Sequence, residues 1–214
     1  PRCLQDIGDA NALYRPGPMG EIPHYIARRF KKEEVVYPHE DLKEILEPTY
    51  GIMIYQEQLM QVVQKIAGFS LSKADNLRRA ISKKDFDLMA SIKNDFIEGA
   101  LKKGYSQKQA DEIFALIEKF ADYGFNKSHA IAYGLIAYQL AYLKANHPLA
   151  FYGAILSNEQ NSDVHKMEYI AEAKKYRIRV LPPSINYSTN RFEQVEGDLR
   201  FSLLGIKNVG QAGY

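Results

Sequence analysis

The sequence predicts a mainly α-helical protein, in which a helical body is followed by a small α+β region with a short β-hairpin. Apolar residues recur at three- and four-residue spacing through most of the chain, which is typical of helices with one buried face. Near residue 177 this period gives way to short runs that indicate strands. With 214 residues, of which 46% are hydrophobic and 25% charged, the chain can bury a sizeable core in one or two domains.

Short elements are predicted at the start of the chain. The phrase Arg15-Pro16-Gly17-Pro18 contains two fixed backbone angles and predicts a rigid loop. Short amphipathic helices are predicted near residues 25–30 and 41–46, and Pro48 stops the second. Residues 52–55 are then predicted to form a brief strand.

Three amphipathic helices are predicted next. The first carries its apolar face up to Ala67 and ends at Gly68. Ser72 and Asp75 have capping-box spacing, so a second helix is predicted to begin there. The third is predicted to end at Gly104 and to bury one face. That face consists of Met89, Ile92, Phe96, Ile97, Ala100 and Leu101.

Ser106 and Gln109 form a further capping pair for a helix whose apolar face is regular. Its predicted buried residues are Ala110, Ile113, Phe114, Ile117 and Phe120. Residues 130–145 are apolar nearly all round, which predicts a central helix surrounded by other helices. Pro148 suits the first turn of the following helix, and a last helix is predicted over residues 163–176.

Three strands are predicted after this last helix. They cover residues 178–181, 192–195 and 199–203. Gly197-Asp198 is predicted to be the hairpin turn between the second and third.

The overall charge excludes a simple electrostatic argument for function. Lys and Arg number 28 against 26 Asp and Glu, so a net charge of +2 does not by itself indicate a polyanionic partner.

The single cysteine, Cys3, excludes an internal disulfide and fits a reducing compartment. No secretory signal is seen, and the longest uncharged run, residues 128–143, is shorter than a bilayer span. A start without Met and a glycine-rich end suggest a piece of a longer polypeptide.

The densest positive cluster lies on and just beyond the helix that follows Ser72. It consists of Arg78, Arg79, Lys83 and Lys84. A triphosphate needs several converging donors of this kind, because its charge is spread over many oxygens. A solvated basic face balanced by acidic neighbours has the same spacing, and from spacing alone this alternative is favoured.

A second group precedes the apolar helix. It consists of Tyr123, Asn126, Lys127, Ser128 and His129. A helix N-terminus offers free N–H groups and a positive dipole end, so this group could bind an anion. Equally, Asn126 or Ser128 could be a plain N-cap and His129 a packing residue.

Other polar groups are less specific. Tyr55, Gln56 and Gln58 lie where a strand passes into a helix, and could contact nucleic acid or cap the helix and cover the core. Asp85 and Asp87 have the look of a metal-binding pair, but their place at a helix start favours structural capping. The five histidines lack metal-ligand spacing, so no metal site and no complete catalytic site is predicted.

Four ordered phrases closely resemble family C DNA polymerases, the alpha subunits of bacterial polymerase III. They are Ala12-Leu-Tyr-Arg-Pro-Gly-Pro-Met19, Tyr50-Gly-Ile-Met-Ile-Tyr-Gln-Glu-Gln58, Leu77-Arg-Arg-Ala-Ile-Ser-Lys-Lys84 and Phe120-Ala-Asp-Tyr-Gly-Phe-Asn-Lys-Ser-His129. The resemblance implies that residues 1–20 finish the palm and residues 21–176 form the helical fingers. Residues 177–214 would begin the helix-hairpin-helix region that grips duplex DNA.

The resemblance also implies roles for single residues. Arg78 and Arg79 match arginines that bind the incoming triphosphate, with Lys83 and Lys84 as weaker candidates. The Asn126 to His129 signature would lie near the nucleotide. The implied residues that line the active site or contact template-primer are Arg15, Tyr55, Gln56, Gln58 and Tyr123.

The implied function is DNA-directed DNA synthesis in chromosomal replication. Mg²⁺ would be held by palm residues outside this chain, so the isolated chain is predicted to be inactive. Expected partners are template-primer DNA, the incoming deoxynucleotide and, for the full-length protein, the sliding clamp and other replisome subunits. The chain is expected to be cytoplasmic, monomeric and not bound to a membrane. One alternative is a non-enzymatic helical nucleic-acid-binding adaptor; a nuclease built on Asp85 and Asp87 is the other.

Overall fold

The structure is a computed structural model that describes residues 1–83, 86–120, 124–159 and 162–210, without the side chains of Ser82, Phe86 and Asp87. Lys84, Asp85 and Tyr123, for which we made predictions, lie outside the described residues, as does the side chain of Asp87. The chain divides into two compact units, Pro1–Leu135 and Ile136–Tyr214. The domain boundaries predicted at residues 20 and 176 stay predictions.

The first unit is helical. Its α-helices are α1 (Leu4–Leu13), α2 (Ile22–Arg29), α3 (Lys43–Leu46), α4 (Gln56–Ala67), α5 (Leu71–Lys83), α6 (Phe86–Lys102), α7 (Gln107–Phe120) and the start of α8 (Lys127–Asn146). Short 3₁₀ turns cover Pro18–Glu21, Glu40–Leu42 and Glu47–Thr49. The short helices predicted near residues 25–30 and 41–46 are confirmed.

A single core joins α3 to α7. Its largest fully buried side chains include Leu59, Leu77, Phe96 and Phe114. The face predicted for α7 is buried as expected, because five apolar residues at helical spacing point one way. On α6 the prediction is wrong for Leu101, whose side chain is exposed.

Most helix ends also agree with the sequence. Gly68 and Gly104 follow α4 and α6 with φ of 69° and 93°, a conformation that glycine adopts without strain. Before α7, Ser106 N donates to Gln109 Oε1 at 2.9 Å and Gln109 N donates to Ser106 Oγ at 3.3 Å. The predicted capping box is therefore confirmed.

The predicted start of α5 is wrong by a short distance. The helix begins at Leu71, and Lys73 N donates to Ser70 Oγ at 3.2 Å, so Ser70 supplies the cap and Ser72 lies inside the helix. The Asp75 carboxylate accepts from Arg78 and Arg79 instead of from a backbone N–H at the helix start.

The predicted strand at residues 52–55 is replaced by one isolated bridge between Tyr55 and Phe125. Side chains take the place of a neighbouring strand along most of this segment. Gln58 Oε1 accepts from Ile54 N at 2.9 Å and from Tyr55 N at 3.0 Å, and Thr49 Oγ1 donates to Ile52 O at 2.6 Å. Backbone groups satisfied in this way do not need a ladder.

The prediction that α8 is a central, surrounded helix is wrong. Of its residues, Ala130 and Gly134 are buried. The exposed large side chains of the helix are Tyr133, Leu135, Ile136, Tyr138, Leu140, Tyr142 and Leu143. An apolar circumference indicates what a helix can bury, whereas its actual burial depends on what the rest of the chain packs against it.

The second unit combines helices with a small sheet. It contains α9 (Pro148–Asn158), α10 (Asp163–Lys175), β1 (Val180–Leu181), β2 (Glu193–Val195) and β3 (Asp198–Arg200). The strand order is β1-β3-β2, with β1 parallel and β2 antiparallel to β3. The turn is Glu196-Gly197, one residue earlier than predicted, and both residues have positive φ. The helical body and short hairpin confirm the predicted fold class.

Gly99 provides a test of the packing between α4 and α6. A Cβ at this position would lie 2.3 Å from Ala67 O, a backbone atom that cannot move aside cheaply. Alanine normally stabilises a helix by about 1 kcal/mol relative to glycine, whereas overpacking costs about 1–3 kcal/mol. We therefore expect Gly99→Ala to lower the free energy of unfolding in urea titrations, by up to about 2 kcal/mol.

Gly20→Ala is the matched control, because a Cβ at Gly20 meets no atom within 4 Å. This variant is expected to unfold at the same or a slightly higher urea concentration. A stabilised Gly99→Ala protein would show that α4 and α6 do not approach as closely as described.

Candidate functional site

The arginine pair lies in the second half of α5 and is oriented by one carboxylate. Arg78 Nε donates to Asp75 Oδ1 at 2.7 Å, and Arg79 Nε donates to Asp75 Oδ2 at 2.8 Å. These bonds, that of Arg78 foremost, hold the pKa of the Asp75 carboxyl below its ordinary value. The Arg79 side chain is 65% exposed and that of Arg78 30%, so both can be reached from solvent. Lys83, the last residue of α5, is also exposed.

A backbone junction brings two of the predicted phrases together. Gln56 N donates to Phe125 O at 2.8 Å, and Phe125 N donates to Ile54 O at 3.1 Å. Gln56 Nε2 adds a longer bond to Gly124 O at 3.3 Å. The start of α4 and the turn before α8 are therefore fixed against each other, although about seventy residues separate them in sequence.

Two N–H groups at the start of α8 already have acceptors. Lys127 N donates to both Glu57 carboxylate oxygens, at 3.1 and 3.0 Å, and His129 N donates to Asn126 Oδ1 at 2.8 Å. Asn126 is thus the N-cap that one of our alternatives predicted. Glu57 was missed, although its place in the Gln-Glu-Gln phrase was visible in the sequence. An anion at this helix start would meet mainly side chains, because these two backbone donors are occupied.

A line of aromatic rings continues from the junction along α8. The Arg15 guanidinium lies 4.4 Å from the centroid of the Phe125 ring. The ring centroids of Phe125 and His129 are 5.5 Å apart, and those of His129 and Tyr133 are 4.5 Å apart. His129 and Tyr133 are exposed, and Ser128 is exposed beside them. Cations and stackable rings therefore share one face, which suits contact with nucleotides.

Tyr55 and Gln58 are buried inside the first unit. The Tyr55 hydroxyl donates to Asp9 Oδ1 at 2.5 Å, and the Lys127 Nζ atom lies 5.7 Å from the Tyr55 ring centroid. Gln58 Nε2 donates to Thr49 Oγ1 at 2.7 Å, in addition to the bonds its carbonyl accepts. These two side chains hold the segment that carries Gln56, and in this structure they do not form its surface.

Similar proteins identify the family to which this chain belongs. Residues 1–104 match the model of the bacterial DNA polymerase III alpha subunit finger domain. A DNA polymerase III alpha subunit of Borreliella burgdorferi is 52% identical over 210 residues, which cover 98% of this chain and 18% of the relative. The chain belongs to the family of bacterial DNA polymerase III alpha subunits.

Further alpha subunits agree along the same length. That of Bacillus subtilis is 50% identical over 210 residues, which cover 98% of this chain and 19% of the relative. That of Thermus aquaticus is 46% identical over 216 residues, which cover 99% of this chain and 18% of the relative. The chain thus spans about a fifth of the length of the alpha subunits it matches. The resemblance identified from the four phrases is confirmed.

In the described residues, no group of three or more His, Cys, Asp or Glu is placed to hold a metal ion. None of the helices formed by those residues is both long enough and apolar enough to cross a membrane.

Proposed function

We propose that this chain supplies the nucleotide-binding fingers of a DNA-directed DNA polymerase that acts in chromosomal replication. Arg78 and Arg79 bind the triphosphate of the incoming deoxynucleotide, with Lys83 and Lys84 adding positive charge. The Asn126 to His129 turn binds the same nucleotide. The proposal is carried by an accessible arginine pair, bonded to Asp75, in a chain that is similar over 98% of its length to a DNA polymerase III alpha subunit.

The helix connections support a common site for the two groups. Helices α4 and α5 pack against each other and are joined by only three residues, 68–70. A three-residue link between two packed helices suits an antiparallel hairpin, in which the second half of α5 would return toward the start of α4. The start of α4 is where Gln56 bonds to Phe125, directly before the Asn126 turn. We propose that both cationic groups lie at this end of the α4–α5 hairpin.

The chemistry of nucleotide addition requires such a group of cations. Negative charge builds on the leaving β and γ phosphates as pyrophosphate departs, and fixed cations stabilise it. Guanidinium groups meet phosphate oxygens two at a time, and Asp75 holds this pair before the substrate arrives. The resemblance implies that Mg²⁺ is held by palm carboxylates outside this chain, and the part of the chain that the structure describes has no group of three or more His, Cys, Asp or Glu placed to hold a metal ion.

Template-primer DNA is the second proposed ligand. Arg15, Gln56 and the exposed His129 ring lie around the junction and suit contacts with a phosphate or a base. Tyr55 and Gln58 act indirectly, by holding this segment. In the complete subunit the sliding clamp and other replisome subunits are the further partners, in the cytoplasm.

Lys127→Ala in the complete alpha subunit tests the proposal at the α8 side of the site. We expect the KM for deoxynucleotide to rise about tenfold, because a cation near the triphosphate is lost, while affinity for primed duplex changes little. The measurement is steady-state primer extension with varied nucleotide. Lys108→Ala, which removes a cation whose side chain is 85% exposed on α7, is the matched control.

An adaptor without nucleotide chemistry predicts a different outcome. In that case Lys127→Ala would weaken DNA binding and make it less sensitive to salt, with no effect that depends on nucleotide. Unchanged nucleotide kinetics together with weaker duplex binding would refute the proposed role of Lys127.

A further inference from the structure

The most deeply buried acidic side chain that the proposed mechanism leaves unused is Asp9 on α1. It has no exposed surface, and three neutral donors surround its carboxylate. The hydroxyl of Tyr55 and the Nε2 of Gln5 donate to Oδ1 at 2.5 and 2.6 Å, and the hydroxyl of Tyr25 donates to Oδ2 at 2.6 Å. A buried carboxylate is costly unless it is hydrogen-bonded, so this set of bonds is what keeps it in place.

Both tyrosine hydroxyls are held in their protonated, donating form. Burial raises the pKa of both phenols, and the bond to Asp9 raises it further. Tyr25 and Tyr55 therefore remain protonated donors throughout the pH range in which the protein works. Hydrogen bonds to a charged acceptor are stronger than neutral ones, about 1.5–3 kcal/mol each.

The two tyrosines differ in what else they hold. Tyr55 is bridged to Phe125, which directly precedes the Asn126 turn. Tyr25 comes from α2 and packs edge-to-face on Tyr50, with ring centroids 5.1 Å apart. Thus one oxygen of Asp9 is connected to the candidate nucleotide site and the other is connected to the α2 side of the unit.

Close packing at Gly8 adds a second connection between α1 and the candidate site. A Cβ on Gly8 would lie 3.1 Å from Ile131 Cδ1, 3.5 Å from the Tyr55 hydroxyl oxygen and 3.6 Å from the Ala130 carbonyl carbon. Helix α1 therefore lies directly against the first turns of α8 and against the Tyr55 hydroxyl. The absent side chain of Gly8 permits this approach.

We propose that Asp9 is a positioning residue for nucleotide binding, which acts through Tyr55 on the Phe125–His129 segment. The bond to Tyr55 fixes the 54–56 segment against α1, and the junction fixes the Asn126 turn against that segment. Lys127 and His129 are in this way held in place at the candidate nucleotide site. The inference rests on the proposed function, because it concerns the same nucleotide site.

The test compares two variants of the complete alpha subunit that each remove one hydroxyl from the same carboxylate. Tyr55→Phe and Tyr25→Phe are both expected to lower the melting temperature by similar amounts, because each loses one buried bond. Tyr55→Phe is expected to raise the KM for deoxynucleotide about fivefold, with a smaller change in kcat. Tyr25→Phe is expected to leave both constants within about twofold of the unmodified protein.

Asp9→Asn provides a milder second variant. Its amide keeps the size of the side chain but leaves one acceptor oxygen for two hydroxyls and places an NH₂ group toward one of them. It is expected to raise the KM as Tyr55→Phe does, and the double variant is expected to be no worse than the more affected single one. Additive effects of the two changes on the KM would overturn the inference.

Equal KM values for Tyr25→Phe and Tyr55→Phe would also overturn it, because Asp9 would then support only stability. Lys127→Ala, measured in the same assay, distinguishes a failure of the proposed function from a failure of the positioning role of Asp9. If Lys127→Ala raises the KM and Tyr55→Phe does not, the proposed function stands and the positioning role of Asp9 is refuted. A KM that is raised by Lys127→Ala and by Tyr55→Phe, but not by Tyr25→Phe, supports both the proposed function and the positioning role.

Discussion

Arg79→Ala in the complete alpha subunit is expected to lower kcat/KM for deoxynucleotide on the order of 100-fold, equivalent to about 2.7 kcal/mol. Arg79 is the more exposed arginine of the pair and already has its Nε atom fixed by Asp75. Its loss removes a preoriented fork that can bind two phosphate oxygens while charge develops on them. The affinity for primed duplex is expected to stay nearly unchanged.

Two further variants sharpen this experiment. Arg79→Lys keeps the charge but not the planar fork, so it is expected to recover only part of the lost activity. Lys108→Ala removes an equal charge from an exposed site on α7 and is expected to behave as the unmodified protein. Unchanged nucleotide kinetics in Arg79→Ala would refute the proposal that the α5 arginines bind the triphosphate.

Gln58→Ala is expected to have the largest effect on stability, about 2–4 kcal/mol in the free energy of unfolding. The buried amide accepts from two backbone N–H groups and donates to Thr49 Oγ1 and, at 3.1 Å, to Ile45 O. Its removal takes the acceptor away from the buried Ile54 and Tyr55 N–H groups and also leaves a cavity. Urea-induced unfolding followed by circular dichroism measures the loss.

Gln61→Ala is the control for helix propensity, since Gln61 is exposed on the same helix. It is expected to change the free energy of unfolding by less than about 0.5 kcal/mol. If Gln58→Ala were as stable as Gln61→Ala, the side-chain bonds that replace a strand at residues 52–55 would contribute nothing.

The fold could be predicted well where a regular apolar period decides the structure. Helix α7 shows this, because five residues at helical spacing have only one common face to bury. The segment 52–55 shows the limit. Its short run of apolar residues resembles a strand, but its backbone groups are satisfied by Gln58 and Thr49, and no local sequence pattern predicts such bonds. For α8, the sequence shows that the helix is apolar, but the tertiary structure decides which elements pack against it.

The candidate site, like the fold, could be predicted from the sequence only in part. Spacing alone does not distinguish a phosphate site from a solvated basic face, and the Asp75 bonds to Arg78 and Arg79 are compatible with both. The family resemblance is what favours the phosphate site. Contacts across long sequence separations could not be predicted, because Asp9 and Tyr55 are 46 residues apart and carry no joint signal.

The shared nucleotide site of α5 and α8 is tested most directly by a cryo-electron microscopy structure of the complete alpha subunit with template-primer and an incoming deoxynucleotide. We predict that terminal nitrogens of Arg79 lie about 3 Å from β or γ phosphate oxygens, with the Lys127 or His129 side chain on the same nucleotide. A triphosphate bound away from α5, with no contact to the Arg78 or Arg79 side chain, would contradict the proposed site.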